Sequence, residues 1–472
     1  MEIKELSGLL NLSESIIMEL VRKGMPINKD KTFDFDIVKD WMGSEAPNLN
    51  KVEESVKEVG EKIKNELILS KEYFISENDK ILKSMLSNES YDEMISYIKN
   101  LDYTKSNRSI LNKFGLKFKN ILKKEKRLCE TYDESLYNKT IENNGKVKIY
   151  WGNCLEYMKK LPSESIQLMV TSPPYYNARA YSQWENINLY LEEMRSIIRE
   201  SFRVLENHRV FVWNVGDIFD NDRLKTTSVW GKRRIPLSAY FIKIFEEEGF
   251  TFVDDIIWDK GEVESKRHMN GGKNIPFYQY PLNCYEHILI FHKHELDKRK
   301  IPCPVCGSLN VNGNTQSEPG LQSYECKNVK CAERSASNRG KRFSDKTNMV
   351  QYWFDEFEDS SINDDFIKNW RRDIIKLKPV FKINNKGENV LGHSAPYPYE
   401  IPEMAIRYFS YPGDVILDPF GGSFTSCISA KNLKRIGVGC EINKEMYRDA
   451  IISKIQSETS FLSSDKNYSE LN

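Results

Sequence analysis

The sequence predicts an α/β fold with a parallel or mixed sheet, an α-helical N-terminal region in front of it and a cysteine-bearing insert within it. Three observations carry that prediction. From about residue 146 short apolar runs alternate with amphipathic helical patterns; the alternation breaks over 295–390 and resumes after it; and the residues before 146, apart from one short hairpin, show apolar spacing of helical period. At roughly 100–200 residues per domain, the 472 residues leave room for two to four domains. Lys+Arg 69 balances Asp+Glu 69, which excludes a globally basic nucleic-acid coat and leaves any polyanion contact to local patches. No run approaches the roughly 18 apolar residues of a membrane span, and the opening MEIKELSGLL lacks the basic-then-apolar layout of a signal peptide. A cytoplasmic protein without a membrane partner is the expectation, and the oligomeric state stays open.

In chain order, residues 1–43 form a small unit: a short helix over Lys4–Leu10, a turn at Asn11-Leu12-Ser13, and a second helix with apolar Ile16, Ile17, Leu20 and Val21. A stop at Gly24-Met25-Pro26, a Lys-rich hairpin reaching Phe33 and a last helix with Ile37, Val38 and Trp41 complete it. This layout resembles the winged helix-turn-helix units of excisionases and phage terminase small subunits, which implies DNA binding; a small helical docking domain is the alternative. Residues 44–145 read as a helical linker region with almost no Gly or Pro. Within it Lys105–Arg127 sets nine Lys/Arg against Glu125 alone, either a phosphate-tracking face or a solvated one. Residues 146–294 carry strands at Val147–Tyr150, Ile166–Val170, Val210–Trp213, Phe252–Trp258 and His287–Phe291, with helices at Asn188–Val204 and Leu237–Glu248. After the insert, 391–455 carries helices at Tyr399–Ser410 and Ser423–Lys431 and strands at Val415–Leu417 and Arg435–Cys440. Residues 456–472 read as a polar, frayed tail.

Two motifs sit where strands end. Thr171-Ser172-Pro173-Pro174-Tyr175 follows the apolar run Ile166–Val170. Two prolines there remove two amide donors and fix φ, which stops the strand and stiffens its neighbours. A Ser hydroxyl and nearby carbonyls can accept hydrogen bonds from an exocyclic amine, and a Tyr ring can stack on a base. The second motif, Asp418-Pro419-Phe420-Gly421-Gly422-Ser423, runs from a strand through a Gly-rich turn into a helix, and Glu441 ends the next strand twenty residues after Gly421. Glycines allow close backbone approach, and an acid at that spacing suits ribose hydroxyls. The turn departs from GxGxxG and there is no phosphate-gripping Gly-x-x-x-x-Gly-Lys-Ser, so a nucleoside without phosphates, such as S-adenosylmethionine, fits better than NAD or ATP.

Together the two motifs resemble the amino-group DNA methyltransferases, and specifically their permuted β class, in which the Ser-Pro-Pro-Tyr motif precedes the Asp-Pro-Phe-x-Gly-Ser motif. Tyr150-Trp151-Gly152-Asn153 is similar to the family's adenine-contacting segment, with Asn153 in place of the usual acid. Glu286-His287-Ile288-Leu289-Ile290-Phe291 is similar to its late catalytic-region strand, and His393-Ser394-Ala395-Pro396 to its element at the cofactor's methionine end. The resemblance spans roughly 146–455 outside the insert. It implies a circularly permuted Rossmann-like S-adenosylmethionine-dependent methyltransferase sheet, with 146–294 as the catalytic half, 295–390 as a target-recognition insert and 391–455 as the cofactor-binding half.

The resemblance further implies a catalytic set of Ser172, Pro173, Pro174 and Tyr175, and a cofactor set of Thr171, Asn153, Asp418, Pro419, Phe420, Gly421, Gly422, Ser423, Glu441 and His393. An amine delocalised into a base is a poor nucleophile and is out of reach inside a duplex, so the base must flip; Ser172 and the Pro173 carbonyl then accept its hydrogens while Tyr175 stacks. A Ser before Pro-Pro points to cytosine N4, with adenine N6 as the alternative. An RNA methyltransferase and a non-catalytic DNA-binding regulator are further readings. A role as the modification enzyme of a restriction system, with a cognate endonuclease as partner, is implied by resemblance.

Nine cysteines in a reducing compartment do not read as disulfides. Cys303-x2-Cys306 and Cys326-x4-Cys331, with Pro304 and Gly307 in the first knuckle, have the spacing of a closed tetrahedral zinc site, hence a structural zinc ribbon in the insert. His292 and His294 are alternative ligands or ordinary strand-end histidines. Cys154, Cys427 and Cys440 read as small core residues. Arg179, Lys232, Arg233, Arg234, Lys266 and Arg267 flank the catalytic half with few acids among them and are expected to contact double-stranded DNA.

Overall fold

The computed structural model describes residues 1–12, 14–22, 24–28, 32–44, 71–101, 107–176, 183–219, 234–261, 284–295, 301–317, 321–331, 340, 342–343, 362–380, 397–458 and 467–472. Its contacts divide the chain into two compact units: Met1–Phe118 with Lys300–Asn314 and Tyr324–Phe343, and Lys119–Arg299 with Thr315–Ser323 and Ser344–Asn472. This differs from the sequence expectation, which separates 1–43, 44–145 and 295–390 from one another. The cysteine segment belongs with the N-terminal residues because its contacts are there.

The second unit is organised by a sheet of β1 (Val147–Trp151), β2 (Ile166–Thr171), β3 (Leu205–Val215), β6 (Phe250–Asp259), β7 (Tyr285–Lys293), β11 (Ile374–Lys376), β12 (Val415–Asp418), β13 (Ile436–Glu441) and β14 (Tyr468–Glu470). Two short strands, β4 (Ile218–Phe219) and β5 (Arg234–Ile235), pair with each other beside it. The order is β11-β6-β7-β3-β2-β12-β13-β1-β14, parallel at every step except β6–β7 and β7–β3. Its central strands are apolar on both faces, as a sheet covered by helices on both sides requires. Leu168, Val170, Val212, Ile288 and Ile416 face the helix Glu400–Phe409, whereas Met169, Phe211, Trp213 and Leu289 face the helices Ile187–Val204 and Leu237–Glu247. A register shift between Ile166 and Leu168 places Ile166 on the same side as Met169.

The crossovers diverge between β2 and β12. From β2 the chain passes through Ile187–Val204 to β3 on one flank, and from β12 through Thr425–Asn432 to β13 on the other. That divergence is a topological switch point, and open α/β sheets bind ligands there, at the carboxyl ends of the strands. The helix Thr425–Asn432 seats tightly: a Cβ at Gly437 would lie 2.3 Å from the Cys427 carbonyl oxygen, and one at Gly439 2.5 Å from the Phe424 ring.

Strands expected from the apolar pattern are present, mostly with bounds a residue or two longer; Leu205–Val215 extends well beyond the expected Val210–Trp213, and Ile436–Glu441 is shifted by one from Arg435–Cys440. Of the tail expected to fray, 459–466 lies outside the described residues; its last residues form the edge strand β14, which pairs in parallel with β1, while Leu471 is buried and Asn472 hydrogen-bonds the Trp151 backbone. Asp364 and Asp365 begin a helix Asp364–Trp370 capped by Asn363.

In the first unit, the helices Ile3–Leu10, Glu14–Arg22 and Phe35–Ser44 enclose Leu6, Ile17, Leu20, Phe33, Val38 and Trp41. A helix over 71–85 and the helix Asn88–Asn100 follow, and Phe74 meets Phe114 edge-on. Val311–Ser317 (β8), Leu321–Cys326 (β9) and Arg342–Phe343 (β10) form a three-stranded sheet in the order β10-β9-β8. No described helix is long and apolar enough to cross a membrane.

Candidate active site

The parallel register lines up the ends of five strands. Thr171 of β2 lies opposite Trp213 of β3, Asp418 of β12 opposite Gly439 of β13, and Trp151 of β1 opposite Glu441. The Ser-Pro-Pro-Tyr segment and the Asp-Pro-Phe-Gly-Gly segment, far apart in sequence, therefore leave adjacent strands side by side at the switch point.

Asp418 joins them. Its carboxylate is buried and accepts from Thr171 Oγ1 at 2.5 Å, from Ser426 Oγ at 2.6 Å and from the Phe420 amide at 3.1 Å; Tyr397 in turn bonds Ser426. Burial raises its pKa to about 6 against the pull of those donors. Asp418 is thus a hub that ties β2, the Gly-rich turn and the following helix together. On the next strand Glu441 is buried, accepts from the Asn443 amide at 2.8 Å, and has a pKa raised by burial. Gly422 takes φ +51 and Phe424 φ +58, and the Gly421 amide bonds the Cys440 carbonyl at 2.8 Å, which folds the turn back over the end of β13. Asn153 caps the helix Cys154–Lys159 by accepting from the Leu155 amide at 2.8 Å.

On the other side of the switch point, Tyr175 Oη donates to Glu286 Oε2 at 3.0 Å, and Lys260 Nζ pairs with Glu286 Oε1. Burial and the Glu286 carboxylate hold the Tyr175 phenol well above its usual range, while the neighbouring Ser172 hydroxyl pulls it the other way. Gly216 makes room for the pair, since a Cβ there would lie 3.0 Å from Glu286 Cγ and 3.3 Å from the Tyr175 ring. Beside them His287 Nδ1 bonds Asp255 Oδ2 at 2.8 Å, and its Nε2 faces Asp217 Oδ2 across 3.9 Å, a charge contact rather than a hydrogen bond. Burial opposes charge on His287, but Asp217 and Asp255 outweigh it and raise its pKa to about 9. Asn214 Oδ1 at the end of β3 is buried without a partner among the described residues.

Sequence reasoning gathers Thr171, Ser172, Tyr175, Asp418 and Glu441 at one edge, and the structure places them there. It passes over Asn214, Gly216, Asp217 and Lys260, and names Glu286 only as part of a strand. A signal existed: Asn214-Val215-Gly216-Asp217 ends the apolar run Val210–Trp213 as Ser172-Pro173-Pro174 ends Ile166–Val170. Of the residues expected at DNA, Arg179, Lys232, Arg233, Lys266 and Arg267 lie outside the described residues, as does His393. Arg234 lies over the Tyr285 and Phe219 rings and donates to Tyr285 Oη at 3.3 Å. In the basic stretch Lys117 pairs with Glu93, Lys123 with Glu206 and Lys126 with Glu164, and Arg127 bonds Tyr137 Oη at 2.9 Å.

The four insert cysteines do converge. Cys303, Cys306, Cys326 and Cys331 are all buried, with their sulfurs within 4.8 Å of one another and Cys306 Sγ 3.6 Å from Cys326 Sγ. Tetrahedral Zn–S bonds of about 2.3 Å put sulfurs roughly 3.8 Å apart, so the donor set fits zinc. His292 and His294 stand elsewhere, beside His208 at the opposite end of the sheet, with His294 Nδ1 3.1 Å from His208 Nδ1.

A mostly parallel α/β sheet, with a Gly-rich turn and an acid on one side of its switch point and a Ser-Pro-Pro-Tyr segment on the other, defines the class. The chain belongs to the DNA methylase family N6_N4_Mtase, whose model matches residues 166–453. It is 38% identical over 316 residues to the Type II beta methyltransferase M.BslI of Bacillus sp. (strain NEB-606), covering 66% of this chain and 28% of that protein. It is 26% identical over 303 residues to the Type II methyltransferase M.BglII of Bacillus subtilis, covering 63% of this chain and 66% of that one. The chain thus spans about a quarter of the first relative and just under two thirds of the second. Among solved structures it is similar to the Thermus thermophilus protein TTHA0409 in complex with S-adenosyl-L-methionine, at 21% identity and TM-score 0.43, covering 69% of this chain and 100% of that chain.

Proposed function

We propose that this protein is a site-specific DNA methyltransferase that moves a methyl group from S-adenosylmethionine to an exocyclic amine of a flipped base, cytosine N4 in preference to adenine N6. One observation carries the reading: the Thr171–Asp418 hydrogen bond sets the Ser-Pro-Pro-Tyr segment beside the Gly-rich turn, so a nucleoside-type site and an amine-accepting site share one edge. The cofactor fits that edge by its donor chemistry. Glu441 suits the ribose hydroxyls, the turn Pro419–Ser423 suits close backbone approach, and Asn214 Oδ1, without a partner among the described residues, is an acceptor that a ligand could meet. Bound there, S-adenosylmethionine supplies an electrophilic methyl on a sulfonium.

The chain's own part is binding, orientation and proton acceptance. Ser172 Oγ and the Pro173 carbonyl accept the two amine hydrogens, which localises the nitrogen lone pair, and Tyr175 lies against the base. No covalent enzyme intermediate is required, in keeping with Cys154, Cys427 and Cys440 as buried thiols with pKa raised by burial. Cytosine N4 is favoured because the residue before Pro-Pro is the short, neutral Ser172 and not Asp or Asn.

The same reading makes the chain order a circular permutation, with the amine half ahead of the cofactor half, and makes the cysteine cluster a structural zinc ribbon of the target-recognition region. Residues 1–43 are a winged helix-turn-helix-like DNA contact, supported by three short helices around one apolar centre. As the modification enzyme of a restriction system, the protein would protect its target from a cognate endonuclease. The test is incubation with labelled S-adenosylmethionine and genomic duplex DNA, then digestion to nucleosides and mass spectrometry. N4-methylcytosine supports the full reading, N6-methyladenine overturns the use made of Ser172, and methyl transfer to RNA alone overturns the DNA assignment.

A further inference from the structure

Glu286 is a carboxylate placed where an apolar contact would have sufficed for packing. It sits on β7 opposite Trp258, its Oε1 held by Lys260 and its Oε2 by Tyr175 Oη, with both partners buried or half-buried. Lys260 also lies 4.9 Å from the Trp258 ring centroid, so the cation is anchored from two sides. The Lys260–Glu286 pair alone would satisfy the charges. The third contact, to the tyrosine of the Ser-Pro-Pro-Tyr segment, is the one that neutralisation does not explain, and it is kept at the expense of any side chain at Gly216.

A hydroxyl has one proton and two acceptor lone pairs, so an ionised carboxylate beside it decides which way it donates. An ionised Glu286 can only accept. Tyr175 must therefore direct its proton to Glu286, and its oxygen is left to accept, from the neighbouring Ser172 hydroxyl and from the Gly216 amide. Ser172, donating to Tyr175, is left with lone pairs alone for whatever enters the site. An amine that must surrender hydrogen-bond protons needs such an acceptor.

We propose that Glu286, fixed by Lys260, is a positioning residue that sets the direction of a Ser172→Tyr175→Glu286 hydrogen-bond chain and so makes Ser172 an obligate acceptor for the substrate amine. The inference rests on the methyltransferase reading above and adds a residue pair to it. In a chain of this kind each bond polarises the next, so loss of the terminal charge is felt at Ser172, two residues' hydroxyls away.

The experiment compares wild type with Glu286→Gln, Tyr175→Phe and the double variant, in full-length protein with equal thermal midpoints. A neutral Gln can donate as well as accept, so it frees the direction of the chain without emptying the space. Each single variant is expected to lose roughly 10- to 100-fold in kcat with KM for S-adenosylmethionine and DNA within about threefold of wild type, the signature of an interaction used in the transition state. The double variant should be no slower than the worse single, because both act through one chain. An unchanged kcat in Glu286→Gln, or losses that multiply in the double variant, overturns the proposal. Should wild type transfer no methyl group to any nucleic acid, the functional reading fails and the chain is judged by NMR of ring-labelled tyrosine: the resonance lost in Tyr175→Phe must shift in Glu286→Gln, and a stationary resonance overturns it.

Discussion

His287 offers the sharpest electrostatic test of the structure. It is clamped between Asp255, hydrogen-bonded at 2.8 Å, and Asp217, facing it at 3.9 Å, and its pKa rises from 6.5 to about 9 in the folded state. A shift of this size corresponds to about 3 kcal/mol of stabilisation, at roughly 1.4 kcal/mol per pKa unit. The sign follows from which state holds the proton. Between 6.5 and about 9 the folded protein is protonated at this site and the unfolded chain is not, so the contribution is complete below 6.5 and disappears as pH climbs through about 9. In His287→Gln the contribution is gone at every pH. The assay is the difference in urea midpoint between wild type and His287→Gln from pH 6 to pH 10, with NMR titration of the imidazole protons as the direct check. With only six histidines in the chain, the resonance missing from the variant identifies His287. A stability difference of similar size at pH 6 and pH 10, or an imidazole titrating near 6.5, refutes the reasoning.

Asp418 has the opposite dependence: with its pKa raised to about 6, the ionised carboxylate costs the folded state about 3 kcal/mol, a penalty absent below 4 and complete above pH 7. Asp418→Asn should therefore gain stability relative to wild type as pH rises from 4 to 7, read from the same urea midpoints; a flat difference counts against it. Gly437→Ala drives a methyl group to within 2.3 Å of the Cys427 carbonyl and should lower stability by about 2–3 kcal/mol, measured by urea unfolding. Asn472→Ala removes two hydrogen bonds to Trp151, at 3.0 and 2.7 Å, for a loss of about 1–2 kcal/mol and faster amide exchange along β1. Metal analysis of protein purified without chelator should give about one zinc per chain, and stripping it should expose 301–331 to proteolysis; metal-free protein with unchanged cleavage would remove the zinc assignment.

The sheet was legible in the sequence wherever a strand is buried on both faces. Ile166–Val170 and Val415–Leu417 are short, largely apolar runs bounded by turn residues, as a covered parallel strand requires. β11 and β14 were not legible, because an edge strand is held through its backbone and needs few apolar side chains; Tyr468-Ser469-Glu470 has no pattern to read. The site divides in the same way. Ser172, Asp418 and Glu441 stand out because prolines, glycines or a lone acid interrupt an apolar run. Glu286 and Lys260 do not, since a charged residue at the start or end of a strand looks like ordinary solvent-facing alternation until β6 and β7 are paired and the two are seen to meet behind Tyr175. Asn153 carries a second role that the motif does not show: its side-chain oxygen accepts from the Leu155 amide and starts a helix. The cysteine spacing gave the metal-type cluster outright, but not its neighbour. Gly307, at φ +71, sits so close to the helix over 71–85 that a Cβ would meet Asn78 and Phe74, and no spacing rule foretells such a contact.

The seam between β2 and β12 has a kinetic meaning. Thr171, Asp418 and Ser426 are buried and mutually bonded, and β2 and β12 are neighbouring strands of one sheet, so nothing along the seam can act as a hinge. On the proposed function the cofactor site and the amine site stand on one joint, so their separation is set when the chain folds. On that reading, discrimination between targets falls to segments that reach the site from outside the sheet, and substitutions that alter target choice should fall there and leave the seam untouched.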